Sequence, residues 1–533
     1  MREKNRPEHE PEKTKEPFSS PATGIINRIR SQFHDCPDFI LKKAILSNGQ
    51  TGYYLFLETL ADPQEVNEKL IQPLLGPTPG SATGLNQIRS IATPINDPDG
   101  DTIANLILSG AVILILEEGE KTILSIRLRP IAKSFPEPET EKILHGPHEG
   151  FSADLQKNLT LLRSKLVSNR LKFKCLKVGS LNPKKIVIAY CEGLAQPQLL
   201  ERLITKINGL KLDKPTGAGQ LETLIKDFPR SLFPQFQVTA RPDQAINSLL
   251  GGKFLILIEN TPVTLSAPVN FFTFFEKPDD LNYNWLFRPF IRLLRLIAAG
   301  LAVFLPALYI AVISFHLYII PVNFLIPLAE SRTQVPFPPI IEILFLEIIV
   351  ELLRESVSRF ASHLGASIGI VSGILLGLAA ISTGMVSAVT VAVSMVTLIA
   401  SLTMPPYDLG LSVRILKFIA LLLASLFGVL GLIVTASVTF AHLITLESLG
   451  QPYFQPLIPA AYDSLQRYFP IKNQKLVYGL YTGLTILLSR LPKDLIQAVQ
   501  LAQIVNLAGI GVFGFLILCY LYSLINQRGV KSK

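Results

Sequence analysis

KPDDLNYNWLFRPFIRLLR, residues 277–295, is where the chain changes character. Before it run about 260 residues of mixed helix and strand texture; after it come apolar runs separated by short loops. The segment ends in Arg288, Arg292 and Arg295, directly ahead of the first long apolar run. That is where cytoplasmic flanking charge of a membrane helix belongs, so this end is expected inside. The composition agrees: 49% hydrophobic residues and 17% charged residues over 533 positions make the chain too apolar for an average soluble protein.

The net charge of +9 sits mostly beside those apolar runs. A nucleic-acid stripe with interleaved aromatics is not seen, which argues against nucleic acid as a partner. Cys36, Cys175, Cys191 and Cys519 are scattered without metal spacing and read as reduced thiols. The opening MREKNRPEHEPEKTKEPF has no apolar core and reads as a disordered polar arm over residues 1–25, on the cytoplasmic side.

Ahead of the boundary the sequence repeats itself. YYLFLETLADPQ (53–64) matches VIAYCEGLAQPQ (187–198) at an offset of 134, with Glu58 on Glu192, Leu60 on Leu194, Ala61 on Ala195 and Pro63 on Pro197. Each copy reads as a buried strand, a loop, and a helix opened by proline. GAVILILEEGEKTIL from Gly110 and GKFLILIENTPVTL from Gly252 form a second pair, each a strand, a tight turn and a returning strand. Between the copies Leu155, Leu159, Leu162 and Leu166 recur at helical spacing, so a helical connector is expected, with its apolar stripe buried between the two halves.

No catalytic or cofactor motif accompanies this scaffold. LLGGKF (249–254) lacks P-loop spacing and is followed by strand residues; GPTPGSATG and PTGAGQ lack a strand-to-helix context. The seven histidines show no metal-ligand spacing, and His145 and His148 read as surface loop residues. The reading is not an enzyme, with no metal and no cofactor.

Apolar runs after the boundary lie at roughly 296–318, 338–353, 364–382, 386–404, 415–443 and 503–525. Counting all six as spans keeps Arg354, Arg359, Arg414, Lys417 and the basic tail on one side, as the positive-inside bias prefers. The second run, PPIIEILFLEIIVELLRES (338–356), carries Glu342, Glu347, Glu351, Arg354 and Glu355. At 100° per residue Glu347, Glu351, Arg354 and Glu355 fall within an arc of roughly 100°, while Glu342 points away and reads as a first-turn contact with the helix dipole. An intramembrane carboxylate costs about 2.5–3.5 kcal/mol and so should meet a partner or water. Three readings stay open for the stripe: an aqueous ion pathway, a helix lying in the interface, or a closed ion pair. In the third run Gly365, Gly369, Gly373 and Gly377 recur every four residues, a face on which another helix can pack closely.

PFPPIIEILFLEIIVELLRESVSRF, LGASIGIVSGILLGLAAISTGMVS and LTMPPYDLGLSVRILKF, with ILHGPHEGFSADLQKNLTLLRSKL, SLFPQFQVTARPDQAINSLLGGK and APVNFFTFFEKPDD in the soluble part, resemble the A-subunit family of spore germinant receptors, the GerA family. The resemblance covers about residues 35–455; His145-Gly146-Pro147 stands where the family shows Arg-Gly-Pro, and the chain continues past the family's usual end. It implies a multi-pass protein of the spore inner membrane with its N-terminal domain on the core side. The implied partners are a permease-like B subunit and a lipoprotein C subunit, with nutrients as triggers, monovalent cations as the ions released, and a homo-oligomer as the assembly. The expectation is therefore an α/β region of two related subdomains, 26–135 and 181–285, joined by a connector at 136–180. An all-α membrane domain of five to six helices follows at 286–533. The residues expected to line a ligand-gated cation pathway are Glu347, Glu351, Arg354 and Glu355; the alternative is a non-conducting scaffold that couples the germinant-binding subunit to ion release elsewhere.

Overall fold

The computed structural model describes residues 21–45, 51–75, 83–95, 99–116, 122–128, 136–138, 141, 147–210, 212–213, 217–284, 287–358, 372–373, 375, 377–404 and 407–455. The chain divides into two compact units. The first comprises Met1–Glu141, His148–Ala218 and Thr239–Thr264, and the second Lys142–Pro147, Gly219–Val238 and Leu265–Lys533.

The α/β region opens with α1 (Pro21–Gln32), which begins inside the stretch expected to be an unstructured arm. There follow β1 (Phe39–Ile45), β2 (Thr51–Leu57), α2 (Pro63–Val66, continued by Asn67–Ile71 and Gln72–Leu75), α3 (Thr83–Ile91), β3 (Ala92–Pro94), α4 (Gly100–Leu108), β4 (Ala111–Leu116) and β5 (Thr122–Arg127). The same order then recurs as α5 (Leu155–Lys165), β6 (Leu171–Val178), β7 (Lys184–Cys191), α6 (Pro197–Asn208), α7 (Ala218–Ile225), β8 (Gln237–Thr239), α8 (Pro242–Leu250), β9 (Phe254–Ile258) and β10 (Thr264–Ala267). The two five-stranded sheets have the orders β1-β2-β4-β5-β3 and β6-β7-β9-β10-β8, which is one topology twice.

Period-2 alternation explains why AVILIL in β4 is buried at every position. Ile113 and Ile115, with Tyr53 and Leu55, pack on Ile26, Ile29, Ile103 and Ile107 of α1 and α4. Val112, Leu114 and Leu116, with Tyr54 and Phe56, pack on Val66, Leu70 and Ile88 on the other face. In the second half Leu155, Leu159 and Leu162 of α5 join Phe173, Val187, Leu255 and Leu249 in one core. The periodic leucines thus belong to the second half's own core, where α5 stands to its sheet as α1 stands to the first.

The matched loops share their details. Gly110 and Gly252 both have positive φ, +89° and +79°. A Cβ at either would approach the carbonyl oxygen of Leu60 or of Leu194, at 3.5 and 2.7 Å. These are the residues that the offset of 134 pairs. Asp38 of the first half meets Arg163 of α5, which is fully buried: Nε and Nη2 donate to the two carboxylate oxygens at 3.0 and 3.1 Å, and Nη1 donates to the Leu171 carbonyl at 2.8 Å.

The second unit is helical: α9 (Phe287–Phe315), α10 (Val322–Arg332), α11 (Pro339–Ser358), α12 (Ala388–Leu402), α13 (Tyr407–Phe427) and α14 (Val429–Thr445). Among the described residues, Phe287–Phe315 and Asp408–Phe427 are long and apolar enough to cross a membrane; Ala388–Leu402 and Val429–Thr445 are apolar but shorter. The run 415–443, expected as one span, is two helices. Gly428 turns the chain at φ +60°, and Gly431 sits where a Cβ would lie 2.1 Å from the Leu423 carbonyl oxygen, so α13 and α14 form a tight hairpin. The run 503–525 and its place in the six-span count lie outside the described residues.

Ala298, Ala302, Ala307 and Ala311 of α9 pack with Ala420 and Ala424 of α13, small residues that let the helix backbones approach. At one end of this bundle three segments meet. The Tyr453 hydroxyl donates to the Pro234 carbonyl at 2.7 Å, Ser448 Oγ to the Gln235 carbonyl at 2.7 Å, and the Phe271 N–H to the Tyr453 carbonyl at 2.8 Å. At the other end Phe315 packs on Gly428. Arg295 closes the first of these ends by a bidentate pair with the buried Asp280, at 2.6 and 2.7 Å, and Arg292 pairs with Glu276 at 3.1 Å. Two of the arginines expected as flanking charge are paired with carboxylates.

Candidate functional site

Helix α11 starts behind Pro338, with its own Pro339 in the first turn, where a missing N–H breaks no helical hydrogen bond. Ile341, Leu344, Phe345, Ile348 and Leu352 are exposed on one side. Glu342, Ile343, Leu346 and Glu347 are buried on the other, the two acids at 1% exposure each. Because the buried arc is wide, acids that point well apart around the helix both turn inward at its edges.

One edge meets α13. Leu409, Val413, Ala420 and Ala424 form that helix's buried stripe, and Lys417 stands on it at 3% exposure. Its ammonium donates to Glu347 Oε2 and to Glu351 Oε1, the latter at 3.4 Å, and lies 4.9 Å from the centre of the Phe418 ring. Arg414 Nη1 donates to Glu351 Oε2 at 3.0 Å, while Arg354 lies 3.7 Å from Glu351 and donates to Ser401 Oγ on α12. Glu347 and Glu351 thus share Lys417, Arg414 and Arg354. Glu355 is exposed at the end of the stripe.

The other edge meets the start of α12. Glu342 Oε2 accepts from the Ser387 N–H at 3.1 Å and from the Thr390 hydroxyl at 2.9 Å, and Arg332 Nη2 of α10 lies 2.8 Å from Oε1. Tyr309 of α9 shares a 2.8 Å hydrogen bond with the same threonine. The expected dipole contact for Glu342 is corrected by this: the residue is the centre of a buried polar knot drawn from four helices.

Between the two edges runs a feature the sequence reading missed. Ser387, Thr390, Ser394, Thr397 and Ser401 recur every three or four residues along α12. At 100° per residue they fall in an arc of about 80°. The first four are at most 5% exposed. The signal was present in SAVTVAVSMVTLIAS, whose hydroxyls keep helical spacing inside an apolar run.

The sequence also hid the cations. Arg414 and Lys417 read as flanking charge, yet they are the partners that close Glu347 and Glu351. Of the glycine face, Gly365 and Gly369 lie outside the described residues. A Cβ at Gly373 would meet nothing within 4 Å, and one at Gly377 would lie 3.9 Å from Val391 of α12. No group of histidine, cysteine or acidic residues among the described residues could hold a metal ion.

A family profile described as Bacillus/Clostridium GerA spore germination protein matches residues 27–475. Spore germination protein A1 of Bacillus subtilis is 33% identical over 444 residues, which is 82% of this chain and 91% of that protein. A Bacillus subtilis protein named uncharacterized membrane protein YfkQ is 31% identical over 438 residues, 81% of this chain and 85% of its own. Among solved structures, the N-terminal domain of the A subunit of the Bacillus megaterium spore germinant receptor GerK3 aligns with 46% of this chain and 94% of its own, at 20% identity and a TM-score of 0.36.

Proposed function

The chain belongs to the GerA family of spore germination proteins, and from that premise we propose that it is the A-type membrane subunit of a spore germinant receptor whose helical unit provides a gated pathway for monovalent cations. In this reading it works in several copies in the spore inner membrane, with the α/β region on the core side. A permease-like subunit and a lipoprotein subunit complete the receptor. The repeated strand order supports reading the α/β region as two copies of one subdomain.

One observation carries the pathway reading. Glu347, Glu351, Arg354, Arg414 and Lys417 converge from two helices in the middle of an apolar bundle, where charge is costly and is retained mainly for function. A hydroxyl-lined helix lies alongside.

The test is 86Rb⁺ efflux from liposomes holding the full chain with its partner subunits, triggered by a mixture of amino acids, sugars and nucleosides. Glu347→Gln and Glu351→Gln keep size and remove charge, so both should lower the triggered efflux in chains that still insert. Glu342→Gln does not serve as a silent control, because Arg332, Ser387 and Thr390 depend on that carboxylate.

A second reading, a non-conducting scaffold that couples a germinant-binding subunit to ion release elsewhere, is favoured by the pairing of both acids within the chain. Persistent assembly with the partners and no triggered efflux would select it.

A further inference from the structure

Resting on the membrane reading of the helical unit, we propose that the turn Phe228–Leu232 is a lipid anchor. It sits in the headgroup layer of one leaflet, at the end of the bundle that Arg295 closes, with Phe228 and Leu232 among the upper acyl chains and Arg230 on an anionic phosphate.

The turn is tied to the helices at a defined level. Gly219–Val238 belongs to the same compact unit as the bundle. Ser412 Oγ of α13 donates to the Leu232 carbonyl, and Ser231 Oγ shares a 2.8 Å hydrogen bond with His442 Nε2 of α14. Ser412 lies one turn inside the span that starts at Asp408, and His442 lies in the last turn of α14, which ends at Thr445. At a rise of about 1.5 Å per residue, each contact is made roughly 5 Å inside the end of an apolar helix. Apolar groups of interfacial segments settle about 5–10 Å into the boundary between headgroups and acyl chains. The turn is held at the outer edge of that layer.

The turn is also rigid. Gln235, fully buried, accepts the Asp227 and Phe228 N–H groups on Oε1 at 2.8 and 3.1 Å, and its amide nitrogen donates to the Phe228 carbonyl at 2.8 Å. The same carbonyl accepts the Ser231 N–H at 3.1 Å, and Ser231 Oγ accepts the Phe233 N–H at 3.1 Å. With its backbone fixed in this way, the turn leaves Phe228 39% and Leu232 42% exposed. A single apolar side chain on a loop is ordinary. Two on a stapled turn are already ordered, so little conformational entropy remains to be lost when a partner covers them.

Its surroundings identify the partner. Phe287 and Phe290, at the start of α9, are exposed at the same end of the bundle, ahead of Arg295. Arg230 is exposed between Phe228 and Leu232. Aromatic rings at the ends of apolar helices with basic heads beside them are the composition of a membrane boundary, where anionic headgroups supply the counter-charge. The turn continues, from a neighbouring segment, the surface that α9 and α13 present to lipid.

The chain has one tryptophan, Trp285, so Trp285→Phe gives a silent background. The experiment places the full chain in vesicles of phosphatidylethanolamine and phosphatidylglycerol and reads the fluorescence of Phe228→Trp; Leu232→Trp is the second reporter if the first disturbs folding. The emission should be quenched by phospholipids brominated high on the acyl chain and spared by aqueous iodide. A nitroxide on a phosphatidylglycerol headgroup should quench about fivefold more effectively than one on a choline headgroup, the ratio given by about 1 kcal/mol for a basic residue at an anionic surface. Arg230→Gln should abolish that preference. Leu422→Trp, at an exposed position of α13, reports on the membrane reading alone. Its quenching by chains brominated deep in the bilayer supports that reading, and no quenching overturns it. With Leu422→Trp quenched, iodide access to the tryptophan in the turn overturns the anchor and spares the membrane reading. Shielding of the turn from both iodide and brominated lipid overturns the anchor in favour of a second copy of the chain covering it. A preference for the anionic headgroup that survives Arg230→Gln overturns the assignment of the phosphate to Arg230.

Discussion

Arg163 has no exposed surface on its side chain, and Asp38 opposite it has 4%. Five hydrogen bonds, to Asp38, the Leu171 and Ser168 carbonyls and Cys36 Sγ, and the Phe173 ring 4.6 Å away, satisfy the guanidinium. Arg163→Met leaves Asp38 buried without its cation, and removing one member of such a pair costs about 3–5 kcal/mol. Thermal unfolding of the detergent-solubilised chain should show the loss, and adding Asp38→Asn should recover part of it. Glu141 makes the opposite kind of case. Burial raises its carboxyl above the ordinary value, outweighing the hydrogen bonds from Thr239 and the Ala240 N–H that favour the charged form. A raised folded value means that the residue's contribution to stability is complete below its unfolded pKa of about 4.3 and is lost as pH climbs through the folded value. Glu141→Gln keeps an acceptor and carries no charge. It should therefore match the unmodified chain near pH 4 and exceed its melting temperature near pH 7.5; equal midpoints at both pH values would count against the burial argument.

Among the elements, the α13–α14 hairpin depends most on a single atom's absence. At Gly431 a Cβ would lie 2.1 Å from the Leu423 carbonyl oxygen, so Gly431→Ala must push the two helices apart. Overpacking of this kind typically costs about 1–3 kcal/mol. Gly300 of α9 has nothing within 4 Å of its Cβ position, so Gly300→Ala should be neutral or gain up to about 1 kcal/mol from helix propensity. Comparing the two melting temperatures in one detergent separates packing from propensity. The same hairpin shows what the sequence could and could not convey. Strand pairs and leucine spacing were legible, because period and turn chemistry are local. The break at Gly428 was not, since glycine inside a long apolar run is also ordinary membrane-helix composition. Partner choice was hidden for the same reason: nothing near Glu342 announces Arg332 on another helix, and nothing near Glu347 announces Lys417, 70 residues away. The hydroxyl period of α12 was legible and went unread because serine and threonine in an apolar helix are common enough to pass as filler.

At the scale of the molecule, one sheet topology occurring twice makes equivalent positions comparable. Gly110 and Gly252 hold matching left-handed conformations over Leu60 and Leu194, so Gly110→Ala and Gly252→Ala should both lower the melting temperature, with the greater loss at Gly252, where the approach is 2.7 Å rather than 3.5 Å. The helical unit adds a different regularity. The Phe271 N–H donates to the Tyr453 carbonyl, so the peptides just before and just after the stretch α9–α14 are hydrogen-bonded neighbours. A block whose two ends touch is a cassette: it can be cut out of one gene and spliced into a relative's without requiring the flanking chain to span a new distance. An exchange of the stretch α9–α14 between relatives would therefore have both its junctions at one point in space, beside the Pro234 and Gln235 carbonyls that receive Tyr453 and Ser448.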